Sequence, residues 1–97
     1  MKYIEDKYFI VIADHLKAFI DEKGIDIADL AAAANVDRKQ IYRLINKENI
    51  PKLSTLVRIL LAAGLEPSKL FSIKFDFETY MVDNNILKAV PKRKKTN

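Results

Sequence analysis

Seven side chains between positions 38 and 52 stand out for the chemistry they could do: Arg38, Lys39, Gln40, Tyr42, Arg43, Lys47 and Lys52. Arginine presents paired N–H donors that fit the acceptor edge of guanine, and glutamine fits adenine in the same way. A tyrosine phenol reaches a phosphate or a thymine methyl. Lysine adds a point charge for phosphate. From Arg38 to Arg58 six basic residues face Glu48 alone, a local charge of +5. The flanks are different, with −4 over residues 1–37 and −1 over residues 59–91. A basic block between acidic flanks points to one surface built for a polyanion, not to a uniformly basic coat. The overall +4, from 17 Lys and Arg against 13 Asp and Glu, is the poorer guide. Lys92, Arg93, Lys94 and Lys95 account for all of it.

Other chemistries find little support. The absence of cysteine rules out a disulfide framework and a thiolate zinc site. One histidine, His15, cannot build a metal cluster and reads as a partly exposed helix residue. Asp26 and Asp29 are better explained as helix-capping groups than as catalytic carboxylates. With no nucleophile–base pair or phosphate loop visible, the expectation is a protein that is not an enzyme and needs no cofactor. The longest apolar run, residues 8–13, falls far short of the roughly 20 residues of a membrane span and lacks the flanks of a signal peptide. The default is a soluble, cytoplasmic protein. Ninety-seven residues, 49% of them hydrophobic, suit one small folded domain.

The elements that must position the basic block are mostly helical. Ile4, Tyr8, Ile12, Leu16, Phe19 and Ile20 form a stripe on one helix face, and Gly24 is placed to stop that helix, read as about residues 5–23. Asp26 can cap a second helix with Ile27, Leu30, Ala31 and Ala34 inside. Asn35, which tolerates positive φ, follows at a tight turn over residues 34–36. Asp37 can cap a third helix anchored by Ile41 and Leu44. A small residue at Ala31, a turn residue at Asn35 and an apolar plug at Val36 meet the spacing of a helix-turn-helix. Its second helix turns the basic side chains away from Ile41 and Leu44. Residues 46–52 read as a loop. Leu53, Leu56, Val57, Leu60 and Leu61 predict the core stripe of a fourth helix ended by Gly64, and Pro67 opens a short fifth over about residues 67–71.

Taken in order, these residues resemble the lambda-repressor/Cro-type (XRE family) helix-turn-helix domain. The resemblance runs from about Ile12 to Phe71, through Leu16 and Phe19, Lys23-Gly24, Leu30-Ala31, Asn35-Val36, Gln40 to Leu44, Pro51, Leu53 to Leu56, Gly64, and Pro67 to Phe71. It implies an all-α, five-helix fold with the second and third helices as the DNA-reading pair. Four positions depart from the family pattern. Ile27 stands where many members have a phosphate-contacting Gln, Ile20 and Ile45 where an Arg and a Glu often pair, and Lys47 where a Gly usually follows the third helix. Two isoleucines for a buried ion pair is physically sensible, because one charge left alone would be costly while a matched apolar pair is not.

The expected organisation is a helix-turn-helix domain over residues 1–72, a strand-like extension over 73–90 and a disordered basic tail over 91–97. In the extension Ile73, Phe75, Phe77 and Thr79 alternate with polar residues, a strand signal. Residues 86–90 could return as a second strand. An unpaired apolar strand is a liability, so pairing with a second subunit is preferred to folding back on helix 1 at Tyr3, Phe9, Ile10 and Val11. The function expected is sequence-specific binding of double-stranded DNA by a small, repressor-like homodimer. Helix 3 would read the major groove, while Lys47, Lys52 and the start of helix 2 hold the backbone. The alternative is an antitoxin-like interaction module with a toxin-like protein partner and autoregulatory DNA binding. An RNA-binding factor is weaker still.

Overall fold

Aspartates start four of the helices found in the computed structural model, which describes residues 4–92. Asp6 accepts the Phe9 amide and opens α1 (Lys7–Lys23), and Asp26 accepts the Asp29 amide and opens α2 (Ile27–Ala34). Asp37 accepts the Lys39 amide ahead of α3 (Arg38–Ile45). Asp76 does the same with Thr79 for α6 (Phe77–Asp83). Each carboxylate satisfies an amide that the first helical turn leaves without a partner, and its charge suits that end of the helix dipole. α4 (Leu53–Ala63) starts without a side-chain cap, and α5 (Pro67–Leu70) starts on proline as expected.

The stops are equally local. Gly24, Asn35 and Gly64 adopt left-handed backbone, with φ of 66°, 58° and 79°. The amides that follow fold back onto the last helical carbonyls: Val36 N–H reaches the Ala31 oxygen at 3.0 Å and Asn35 N–H reaches Ala32 at 3.2 Å. That pair of bonds is the turn of the helix-turn-helix. α2 packs on both α3 and α4, and α1 on α3 and α5, around Ile12, Leu16, Leu30, Ile41, Leu44, Ile59, Leu60 and Leu70. The all-α helix-turn-helix expectation holds over this body.

The face of α4 differs from the expected stripe. Leu56 and Leu60 are buried, but Ile59 joins them at 0% exposure, while Leu53 and Leu61 stand 69% and 63% exposed. The helix is apolar at almost every position from Leu56 to Ala63. Two overlapping stripes therefore fit a period of 3.6, one on Leu53, Val57 and Leu61, the other on Leu56, Ile59 and Leu60. Packing against α2 selects the second.

The strand-like extension is corrected too. Residues 77–83 form a helix, and among the described residues there is no strand. Asp76 Oδ2 accepts the Thr79 hydroxyl at 2.6 Å and Oδ1 accepts the Thr79 amide at 3.1 Å, a local cap that a strand would forfeit. The new helix folds back on α1. Phe75 and Phe77 lie 4.9 and 5.1 Å from the Tyr8 ring, ring centre to ring centre. The anchor is thus Tyr8 instead of Ile10 or Val11; Phe9 packs on the main core, and Tyr3 lies outside the described residues. Residues 86–92 have no regular secondary structure, and Leu87 and Val90 are exposed, so the second strand is absent as well. The disordered tail expected over 91–97 falls, from residue 93 onward, outside the described residues.

Candidate nucleic-acid interface

α3 is strongly two-sided. Ile41, Leu44 and Ile45 are buried, while Arg38, Lys39, Gln40, Tyr42 and Arg43 are exposed. The split follows from the helical period: positions 41, 44 and 45 share one face, and the polar positions fill the rest. The αL turn at Asn35 then fixes α3 against α2, so the polar face is presented by a rigid pair of helices. Among the described residues no carboxylate forms an ion pair with it. Among the described residues the ion pairs are Lys7–Asp83, Lys17–Asp21 and Lys47–Asp14, and none engages Arg38, Lys39, Arg43 or Lys52.

The same face continues into the next helix. A cleft of about 310 Å³ opens between α3 and the start of α4, lined by Gln40, Arg43, Asn49, Ile50, Pro51, Lys52 and Thr55. Lys52 sits at the N-cap of α4, whose first amides receive no side chain. Uncapped amides at the positive end of a helix dipole, beside a lysine and an arginine, form a place where a phosphate oxygen is stabilised. Asn49, Thr55 and the α4 terminus did not stand out in the sequence. The signal present was an absence, a helix whose capping position holds Lys52 and not Ser, Thr, Asp or Asn.

Of the seven sequence candidates, six lie on this continuous face. Lys47 does not join them. Its Nζ lies 2.6 Å from Asp14 Oδ1 on α1. The start of α2, the other expected backbone contact, carries the Asp26 carboxylate on its amides. Ile27 is half-buried and packs on the core, so its place in the family pattern has been given to packing. Ile20 and Ile45 are both buried in the core, 2% and 8% exposed, as a matched apolar replacement requires.

Comparison with known proteins agrees with this geometry. The description "Cro/C1-type HTH DNA-binding domain" matches residues 15–76. A search of curated proteins gave no match. Among solved structures, a point mutant of the restriction-modification controller protein C.Esp1396I is similar, with a TM-score of 0.59 and 19% identity over 79% of this chain and 90% of that one. At that identity the likeness concerns the fold. No helix among the described residues is long and apolar enough to cross a membrane. The family match spans well over half the sequence and contains both helices of the turn motif, so the chain belongs to the Cro/C1-type helix-turn-helix DNA-binding domain family.

Proposed function

We propose that this DNA-binding protein is a cytoplasmic transcriptional regulator that recognises a specific duplex sequence as a homodimer. The observation that carries the reading is the exposed, unpaired basic face of α3 running into the uncapped start of α4. α3 enters the major groove with Arg38, Lys39 and Arg43 at base edges and Gln40 and Tyr42 beside them. Lys52 and the first amides of α4 hold the phosphate backbone, which fixes the register of α3.

One such module contacts few bases, so two copies on a two-fold axis are expected, reading half-sites about 34 Å apart. The ridge of exposed Leu53 and Leu61 with half-buried Val57 between them on α4 offers a self-complementary apolar contact for that second copy. An antitoxin-like role with a toxin-like partner is not favoured by the family match or by the structural neighbour.

The test is selection of bound duplexes from random genomic fragments, followed by affinity against salt for the wild type and Arg43→Ala. A palindromic motif, with discrimination relaxed by about 1–3 kcal/mol in the variant, supports sequence-specific reading. No enrichment at any salt concentration overturns it.

A further inference from the structure

Five helices are closed by a left-handed residue, at the C-cap of α1, α2 and α4 and one position later in α3 and α6, and one of the five is unusual. α1, α2, α3, α4 and α6 are followed by left-handed residues: Gly24, Asn35, Lys47, Gly64 and Asn85. Glycine and asparagine take this backbone readily. Lysine, at φ 61°, does so only where its surroundings hold it.

Three contacts hold Lys47. Its amide donates to the Leu44 carbonyl at 3.0 Å, and its own carbonyl accepts the Ile4 amide at 2.7 Å. Its ammonium meets Asp14 at 2.6 Å, thirty-three positions away. The turn it makes also brings the Glu48 and Asn49 amides onto the Arg43 carbonyl, at 2.7 and 3.3 Å. The end of α3 is thereby fastened to α1 and to the segment before it.

We propose that Lys47 is a positioning residue for the DNA-reading face, its ammonium committed to Asp14 and not to a phosphate, so that the pair sets Arg43 and the loop to Lys52 against α1. The proposal rests on the DNA-binding reading above. Charge bookkeeping supports it. The pair is neutral as a unit, and a phosphate that drew Lys47 away would uncover the Asp14 carboxylate beside its own negative charge. A neutral pair displaces no condensed counterions when DNA binds, so Lys47 adds nothing to the salt dependence.

The experiment compares wild type, Lys47→Gly, Lys47→Asp and the exchanged pair Asp14→Lys/Lys47→Asp on a duplex selected by the wild type. Lys47→Gly suits the left-handed backbone and keeps the variant folded. Its slope of log affinity against log salt should equal that of wild type, whereas loss of a phosphate ligand lowers the slope by about 1. Lys47→Asp sets two carboxylates together and should weaken binding about tenfold, and the exchanged pair should return to within about threefold of wild type. A reduced slope in Lys47→Gly, or an exchanged pair as weak as Lys47→Asp alone, overturns the positioning role. A wild type that selects no duplex defeats the DNA-binding regulator itself, which separates the two failures.

Discussion

Tyr80 donates its phenolic hydrogen to Asp6 Oδ2 at 2.6 Å, linking residues 74 positions apart. The other oxygen of the same carboxylate accepts the Phe9 amide at 2.9 Å. One side chain therefore starts α1 and holds α6. α6 buries no residue completely, so its docking depends on this bond, on the ring cluster of Tyr8, Phe75, Phe77 and Tyr80, and on a marginal Lys7–Asp83 pair at 3.8 Å.

Tyr80→Phe keeps the ring and removes the hydroxyl. The expected cost is about 1 kcal/mol, the size of one net hydrogen bond, and it should be confined to α6. Hydrogen exchange reads it: amides over 77–83 exchange faster, while those of α2 to α4 do not change. Asp6→Ala should cost more, because it also uncaps α1. Equal protection of α6 in wild type and Tyr80→Phe would show that the rings alone hold the helix.

The docked helix should respond to pH at both ends of the scale. The hydrogen bond to Asp6, with smaller effects of burial and of the Asp6 charge, raises the Tyr80 phenol above its ordinary 10.0. A raised value means the folded state favours the protonated phenol. This contribution is complete below pH 10 and is lost as pH rises through the raised value. Asp76 behaves oppositely. The Thr79 hydroxyl, then the Thr79 amide, lower its carboxyl below the ordinary 3.8. Its contribution is complete above the ordinary range and is lost as pH falls through the lowered value. Near-ultraviolet dichroism of the tyrosines should show the alkaline step in wild type and lose the Tyr80 part of it in Tyr80→Phe.

Ile20 and Ile45 give a test of the core. Both are buried, on α1 and α3, helices that pack together. Ile45→Glu alone puts an unpaired charge in that core and should cost about 3–5 kcal/mol. Adding Ile20→Arg should recover part of the loss by giving that charge a partner across the α1–α3 contact. Thermal unfolding of both singles and the double measures the coupling. Additive losses would mean that the two positions do not meet closely enough to pair.

The body of the fold was legible because its punctuation is local. Asp26 and Asp37 cap, Gly24, Asn35 and Gly64 stop, and each of those acts within a few residues whatever the tertiary context. Where tertiary packing decides, the sequence ran out. α4 is apolar on two faces, and only contact with α2 chooses Ile59 over Leu53 and Leu61. In the extension, the alternation from Ile73 to Thr79 hid an Asp76–Thr79 cap and the helical spacing of Phe77, Tyr80 and Met81. The two-sidedness of α3 was readable from the spacing of Ile41 and Leu44 among its basic residues. The commitment of Lys47 to Asp14 crosses 33 positions and leaves no trace in local pattern.

The face that α4 leaves uncovered yields the last prediction. Leu53, Val57 and Leu61 follow one another at four-residue steps, so they form a single ridge, and two of the three are mostly in solvent. The two exposed ends of the ridge gain little for the monomer, so changing them should hardly affect folding. Leu53→Lys/Leu61→Lys is expected to shift stability by no more than about 0.5 kcal/mol per substitution, as for other surface positions. In a dimer built on this ridge, the same change places four lysines at one two-fold contact, where like charges repel and apolar burial is lost. Sedimentation should then report the mass of one chain where wild type reports two. Duplex selection should return a single half-site in place of a palindrome, with weaker binding. A double variant that keeps the dimer mass would move the interface elsewhere, and the exposed Val82 and Leu87 of the C-terminal segment would be the next place to substitute.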